Sequence, residues 1–255
     1  MTCSRCPNTG RHVVLLGASN LVLHWSVLMR LVFSRWNGFI HVNTAHGMGR
    51  SYVAPSYFGW RKVPGILDSG LWPALTQDRP PVAALVTDLG NDLVYGHSAS
   101  VVTQAAAEAV ARLRDVNPDC RIVVTRPPLE SVQALSVLRY RFIRSALFPA
   151  CRQSLSQIVD ATRELDEEIQ RLSDVTLAVQ PSHWFGMDPI HIRRRFRKSA
   201  YSTFLESWPG ATKTGSGTES VPEKRPKTAL RWVLNRKLLC EQPSVVSGRG
   251  SVSAW

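Results

Sequence analysis

What most constrains this chain is an alternation over its first 210 residues: short apolar runs end in polar, glycine-bearing turns and are separated by stretches with helical spacing. The run from His12 to Leu16 closes on Gly17-Ala-Ser-Asn20, as a fully buried strand does on reaching a turn. Leu21 to Trp36 then places apolar residues at Leu21, Val22, Trp25, Leu28, Met29 and Val32, a helical spacing with Asn20 available as a cap. A second apolar run, Gly38 to Val42, ends in Asn43-Thr-Ala-His-Gly-Met-Gly49. Strand, helix and strand of this size form a βαβ unit, whose crossover is right-handed and whose strands are parallel.

The pattern repeats. Pro81 to Val86 reads as a third strand, Ser98 to Asp115 as an Ala-rich helix, and Cys120 to Thr125 as a fourth strand. Ser131 to Leu172 is mostly helical in character, Val175 to Val179 reads as a fifth strand, and Ile192 to Trp208 as a final helix stopped by Pro209-Gly210. This order predicts an α/β domain with a doubly wound, mostly parallel five-stranded sheet over residues 12–208. Residues 1–11 form an N-terminal extension. Residues 209–255 shift to Thr, Ser, Gly, Pro and Lys with one apolar island, Ala229 to Leu239, and are expected to be a largely disordered tail.

Charge follows the same division. Of a formal net +12, residues 1–192 carry 18 basic and 15 acidic side chains, 193–208 five basic and one acidic, and 209–255 eight basic and three acidic. The fold proper is nearly neutral, so the basic balance argues for weak polyanion contact through the tail and not for sequence-specific nucleic-acid binding, for which no base-reading motif is present. Five cysteines do not make a disulfide framework, which points to a reducing, cytoplasmic setting. The start lacks the apolar core of a secretory signal, and Ser19, Asn20, His24 and Arg30 interrupt the Leu- and Val-rich stretch that could pass for a membrane span.

In a doubly wound sheet, ligands bind outside the carboxyl ends of the strands. Four polar groups fall there: Gly17-Ala-Ser19-Asn20, His46-Gly47-Met48-Gly49, Asp88-Leu-Gly-Asn91-Asp92, and Asp188-Pro-Ile-His191. Ser19 sits at a strand-to-helix turn, where helix-start amides favour developing negative charge. A nucleophilic serine needs a base held in one tautomer by a third group, and Asp188 with His191, three residues apart across Pro189, supplies such a pair. An oxyanion would find donors in the Ser19 N–H, the Asn91 carboxamide, and the N–H of Gly47 or Gly49. Each of these also has a structural role open to it, as a cap or a turn.

Taken together, these blocks resemble the SGNH hydrolases, the GDSL esterase and lipase superfamily, over about residues 12–208. That resemblance implies a flavodoxin-like three-layer α/β/α sandwich, and a serine hydrolase that cleaves carboxylic esters, O-acyl or O-acetyl, of a small-molecule, carbohydrate or lipid substrate without a cofactor. It implies Ser19 as nucleophile and oxyanion donor, Gly47 or Gly49 as the second donor, Asn91 as the third, His191 as base and Asp188 as its orienter. The first block reads Gly-Ala-Ser-Asn-Leu where the family usually has Gly-Asp-Ser-Leu, and Leu89 fills the usual glycine position of the third. An O-acyltransferase using the same serine, or a non-catalytic polyanion-binding protein on the same fold, are the rival readings. Neither Gly-x-Ser-x-Gly nor Gly-x-Gly-x-x-Gly is met by Gly17 to Val22.

Further candidates follow from position. His46, Arg126 and Asp92 lie at strand ends and are expected to line the substrate site, with Trp60, Trp72 and Trp184 as an apolar wall. Cys3 and Cys6 have Cys-x-x-Cys spacing, but no second pair follows, so no metal site is predicted. The cluster from Arg193 to Lys198 directly follows the proposed base and would form a positive rim beside the cleft.

Overall fold

The apolar runs form strands where their pattern places them. The computed structural model describes residues 10–58, 61–210, 244–247 and 250–255. Its strands are β1 (Arg11–Leu16), β2 (Ile40–Ala45), β3 (Ser56–Phe58), β4 (Arg61–Val63), β5 (Pro81–Val86), β6 (Arg121–Thr125), β7 (Thr176–Ala178), β8 (Ser244–Ser247) and β9 (Gly250–Ala254). A sheet of seven has the order β7-β6-β5-β1-β2-β9-β8, all neighbours parallel except β8 against β9, while β3 and β4 pair separately. The five strands read from the sequence thus stand in flavodoxin-like order, with the third placed on the far side of the first from the second.

The helices are α1 (Ser19–Leu23), α2 (Trp25–Ser34), α3 (Leu71–Ala74), α4 (Asn91–Val94), α5 (Ala99–Val116), α6 (Leu129–Gln133), α7 (Val137–Leu147), α8 (Leu155–Ile169) and α9 (Arg197–Phe204). Because successive side chains of a strand point to opposite faces, β1 feeds two cores. Val13 and Leu15 pack with Trp25, Leu28, Met29 and Val32 of α2 and with Tyr201 and Phe204 of α9. Val14 and Leu16 pack with the Ala-rich face of α5, Ala99 to Leu113, and with Leu165 and Ile169 of α8. The result is three layers, helix, sheet and helix. Ser98 caps α5 by accepting from the Val101 N–H, and Ser154 with Gln157 forms a capping box on α8.

Several boundaries differ from expectation. The stretch Leu21 to Trp36 is two helices that meet at His24, and Asn20 does not cap: α1 begins after Ala18 without a side-chain cap. The final helix is only Arg197–Phe204, because Ile192 and Arg193 are irregular and Arg194 to Phe196 form a turn. The sheet has seven strands and not five, since two come from the segment expected to be a tail. In β9, Gly250 to Ala254 pairs with Ile40 to Thr44 of β2 and buries Val252 in the first core. A side chain at Gly250 would fall 2.2 Å from the Ile40 carbonyl oxygen and from Phe33 Cε1, so this close docking needs glycine. A short Ser/Gly-rich strand whose partner lies about 200 residues away leaves no local pattern to read. The apolar island Ala229 to Leu239, Cys3, Cys6 and Trp60 lie outside the described residues.

Candidate active site

The sheet order reverses between β1 and β5: from β1 the chain adds β2 on one side, then crosses to add β5 on the other. The two connections diverge there and leave a crevice at the carboxyl ends, which is where open α/β sheets bind ligands. Ser19 leaves β1 at this point, and Asp88 to Asp92 leave β5.

Three of the expected residues are hydrogen-bonded in series. The Ser19 hydroxyl lies 2.7 Å from His191 Nε2, and His191 Nδ1 bonds Asp188 Oδ2. Asp188 Oδ1 accepts from the Ile190 and His191 N–H groups at 2.9 and 3.2 Å, so the turn through Pro189 fixes the carboxylate against its own imidazole. Ser19 is only 5% exposed. Burial pulls the His191 pKa down, but the hydrogen bond and charge of Asp188, with the charge of Asp88 added, outweigh it and leave it raised. Burial pushes Asp188 up, and the His191 hydrogen bond and charge, with the two backbone N–H groups, overcome this and leave it lowered.

The oxyanion candidates are unengaged donors. Among the described residues, the N–H groups of Ser19, Gly47 and Gly49 and the Asn91 carboxamide make no hydrogen bond. Asn91 is 7% exposed, starts α4 and faces a pocket of about 50 Å³ that Asn20, Asp88, Gly90 and Ile190 also line, whereas Ser19, His191, Gly47 and Gly49 do not line it. Leu93, Val94, Pro127, Val132 and Ile158 make the rest of that pocket largely apolar.

Other expected site residues are committed elsewhere. Asp92 is fully buried and does not line the pocket: its carboxylate accepts from the Ser51 hydroxyl and from the Tyr52 N–H at 3.1 Å, clamping the loop after β2. Arg126 does reach the pocket, but its guanidinium forks onto Asp166 at 2.8 and 2.5 Å, which satisfies its charge. His46 is buried, stacked on Trp25 at 4.8 Å between ring centres, with Nδ1 3.0 Å from Thr44 Oγ1. Trp184 belongs to the first core, and Trp72 lies under Arg112 and donates to the Ile66 carbonyl, so neither lines the pocket. Among the described residues no group of His, Cys, Asp and Glu is placed to hold a metal ion, and no helix is long and apolar enough to cross a membrane.

Two residues had a larger role than their sequence suggested. Asp88 Oδ2 accepts from the Ala18 and Asn20 N–H groups at 2.8 and 3.1 Å, and Oδ1 from the Asn20 carboxamide at 2.8 Å. Asn20 Nδ2 also donates to the Ile190 carbonyl at 2.9 Å, and its Oδ1 accepts from the Ile192 N–H at 3.0 Å. The available signal was position: a carboxylate at one strand end and a carboxamide at the end of its neighbour.

Solved structures share this fold. A carbohydrate acetylesterase family member from Sinorhizobium meliloti superposes with a TM-score of 0.52 at 15% identity, over 77% of this chain and 95% of that one. A carbohydrate esterase family 3 structure from Talaromyces cellulolyticus gives 0.44 at 10% identity, over 76% and 93%. At 15% identity the first of these likenesses speaks for the fold alone. No protein-family model and no curated protein sequence matches the chain.

Proposed function

We propose that this protein is an SGNH-type serine esterase that cleaves carboxylic esters, O-acyl or O-acetyl, through an acyl-enzyme on Ser19. The observation that carries this reading is the Ser19–His191–Asp188 relay at the point where the sheet order reverses. Ser19 Oγ attacks the acyl carbonyl while His191 Nε2 takes its proton. Asp188 accepts from Nδ1–H, holds the imidazole in the tautomer with Nε2 free, and stabilises the imidazolium as it forms. The carbonyl oxygen becomes an oxyanion, for which the Ser19 N–H, the Asn91 carboxamide and the N–H of Gly47 or Gly49 are the donors. The tetrahedral intermediate collapses, the alcohol leaves with the His191 proton, and water deacylates the serine by the same steps in reverse order.

The pocket beside Asn91 is lined by neither Ser19 nor His191, so the acyl chain length the site takes is an outcome of the assay. The buried free thiols of Cys120 and Cys151 support a reducing, cytoplasmic setting. Turnover of an aryl ester series tests the proposal: the expected result is hydrolysis that is lost in Ser19→Ala. Equal turnover in Ser19→Ala would sink it.

A further inference from the structure

The chemistry proposed above needs the nucleophile and its base to keep one distance, yet they sit 172 residues apart on different loops. Ala18, beside the nucleophile, has no polar side chain, and α1 has no side-chain cap to fix its first turn. What fixes it comes from across the sheet. β5 ends at Val86, the Thr87 N–H still donates to the Leu16 carbonyl at 2.9 Å, and Asp88 then adopts φ +65°, a left-handed conformation that short polar residues tolerate best. From there its carboxylate takes the two amides that flank Ser19, those of Ala18 and Asn20, and leaves the Ser19 N–H between them unengaged.

Asn20 completes the link. Its Nδ2 bridges Asp88 and the Ile190 carbonyl, and its Oδ1 holds the Ile192 N–H, so the residues on both sides of His191 are tied to the residue after Ser19. Polarity runs one way along this chain: the carboxylate only accepts, which forces the carboxamide to present N–H toward it and oxygen toward Ile192. Resting on the esterase reading, we infer that Asp88, acting through Asn20, is the positioning residue that sets the Ser19–His191 geometry. Neither residue exchanges a proton with substrate.

Replacing Asp88 by Asn puts an amide donor against a donor, and replacing Asn20 by Ala cuts the tie to Ile190 and Ile192 while leaving the carboxylate in place. Both variants are assayed per active site, titrated with a serine-reactive phosphonate, so that misfolded protein is not counted. Since misplacement of a reacting group by about 1 Å can cost about 10²-fold, kcat per site is expected to fall about 10²-fold in both, with KM little changed. The pH profile separates positioning from general stabilisation. The charged groups near His191 are Asp188 on its own loop, Asp88 at the end of β5, and His24 at the α1–α2 junction, itself close to Arg194 and Arg197. His191 must be neutral to act as base, so the rate rises with pH through its pKa. Burial pushes the Asp88 carboxyl up and the Asn20 and Ala18 hydrogen bonds pull it down, leaving it raised; the charge it carries raises His191, so the acid limb of D88N moves to lower pH.

Wild-type kcat per titrated site in either variant, or an unmoved limb in D88N, overturns the inference. If D88N does not fold, N20A alone decides through its kcat. Absence of Ser19-dependent labelling in the wild-type protein would instead break the esterase reading on which the inference rests.

Discussion

The two loops beside the point of sheet reversal are held by different means. The Ser19 turn is tied to Asp88 across the sheet and through Asn20 to the His191 loop, so each bond that steadies it also sets a distance between reacting groups. The loop after β2 is held at its far end, where Asp92 takes Ser51 and Tyr52 and the buried Arg50 donates to the carbonyls of Pro64 and Trp255. Its glycines are touched lightly: Tyr95 donates to the Gly49 carbonyl at 2.8 Å, and the amides of Gly47 and Gly49 stay unengaged. On the proposed esterase reading, one loop keeps the geometry of the reacting groups and the other is left open to the substrate.

The largest expected effect falls on the first side. Asp188→Asn keeps the size but lets the imidazole take the wrong tautomer, and kcat for aryl acetate should drop about 10⁴-fold. A loss below about tenfold would place Asp188 outside the chemistry and break the contrast. Asn91→Ala, which removes one donor facing the pocket, is expected to lower kcat about 10²–10³-fold with little change in KM. Stopped-flow acylation would show whether the loss lies in the chemical step.

pH comes next. Because Asp188 raises His191 above 6.5, kcat/KM should climb with pH through a midpoint above 6.5. His24 goes the other way, lowered to about 4 by burial, with Arg197 adding to it, so it stays neutral over that range and cannot produce the limb. A midpoint well below 6.5 would contradict the raised base.

The smallest effects separate the two glycines. An added Cβ at Gly49 would adopt φ +62° and lie 2.9 Å from Tyr95 Oη, so Gly49→Ala should cost about 1–2 kcal/mol in thermal unfolding. Gly47→Ala meets only ordinary contacts at 3.5 Å and should leave stability unchanged. A fall in kcat without loss of stability in Gly47→Ala would mark that glycine as the one the substrate approaches.

The same contrast explains what could be read from the sequence. Strands β1, β5 and β6 hold continuous apolar runs and β2 a shorter one broken by His41 and Asn43, and Ser19, Asp188 and His191 stand at a strand end or three residues apart across a proline, so local pattern reveals them. Asp88 and Asn20 look like turn and cap residues in isolation, and only the pairing of β1 with β5 brings them together. Asp92 serves the frame and not the pocket, because a polar residue at a strand end can do either and its partner Ser51 is distant in sequence; Arg126 does line the pocket, with its charge held by Asp166. Strand β9 has one buried aliphatic side chain beyond Ala254 and gains its place by pairing with β2 on one side and β8 on the other.

The proposed mechanism stands on Ser19 as a nucleophile activated by His191. Mass mapping of the adduct formed with a serine-reactive phosphonate tests this directly. One adduct per chain is expected, on Ser19, absent in Ser19→Ala and slowed in His191→Ala. An adduct on any other residue, or none in a wild-type chain that still cleaves aryl acetate, would contradict it.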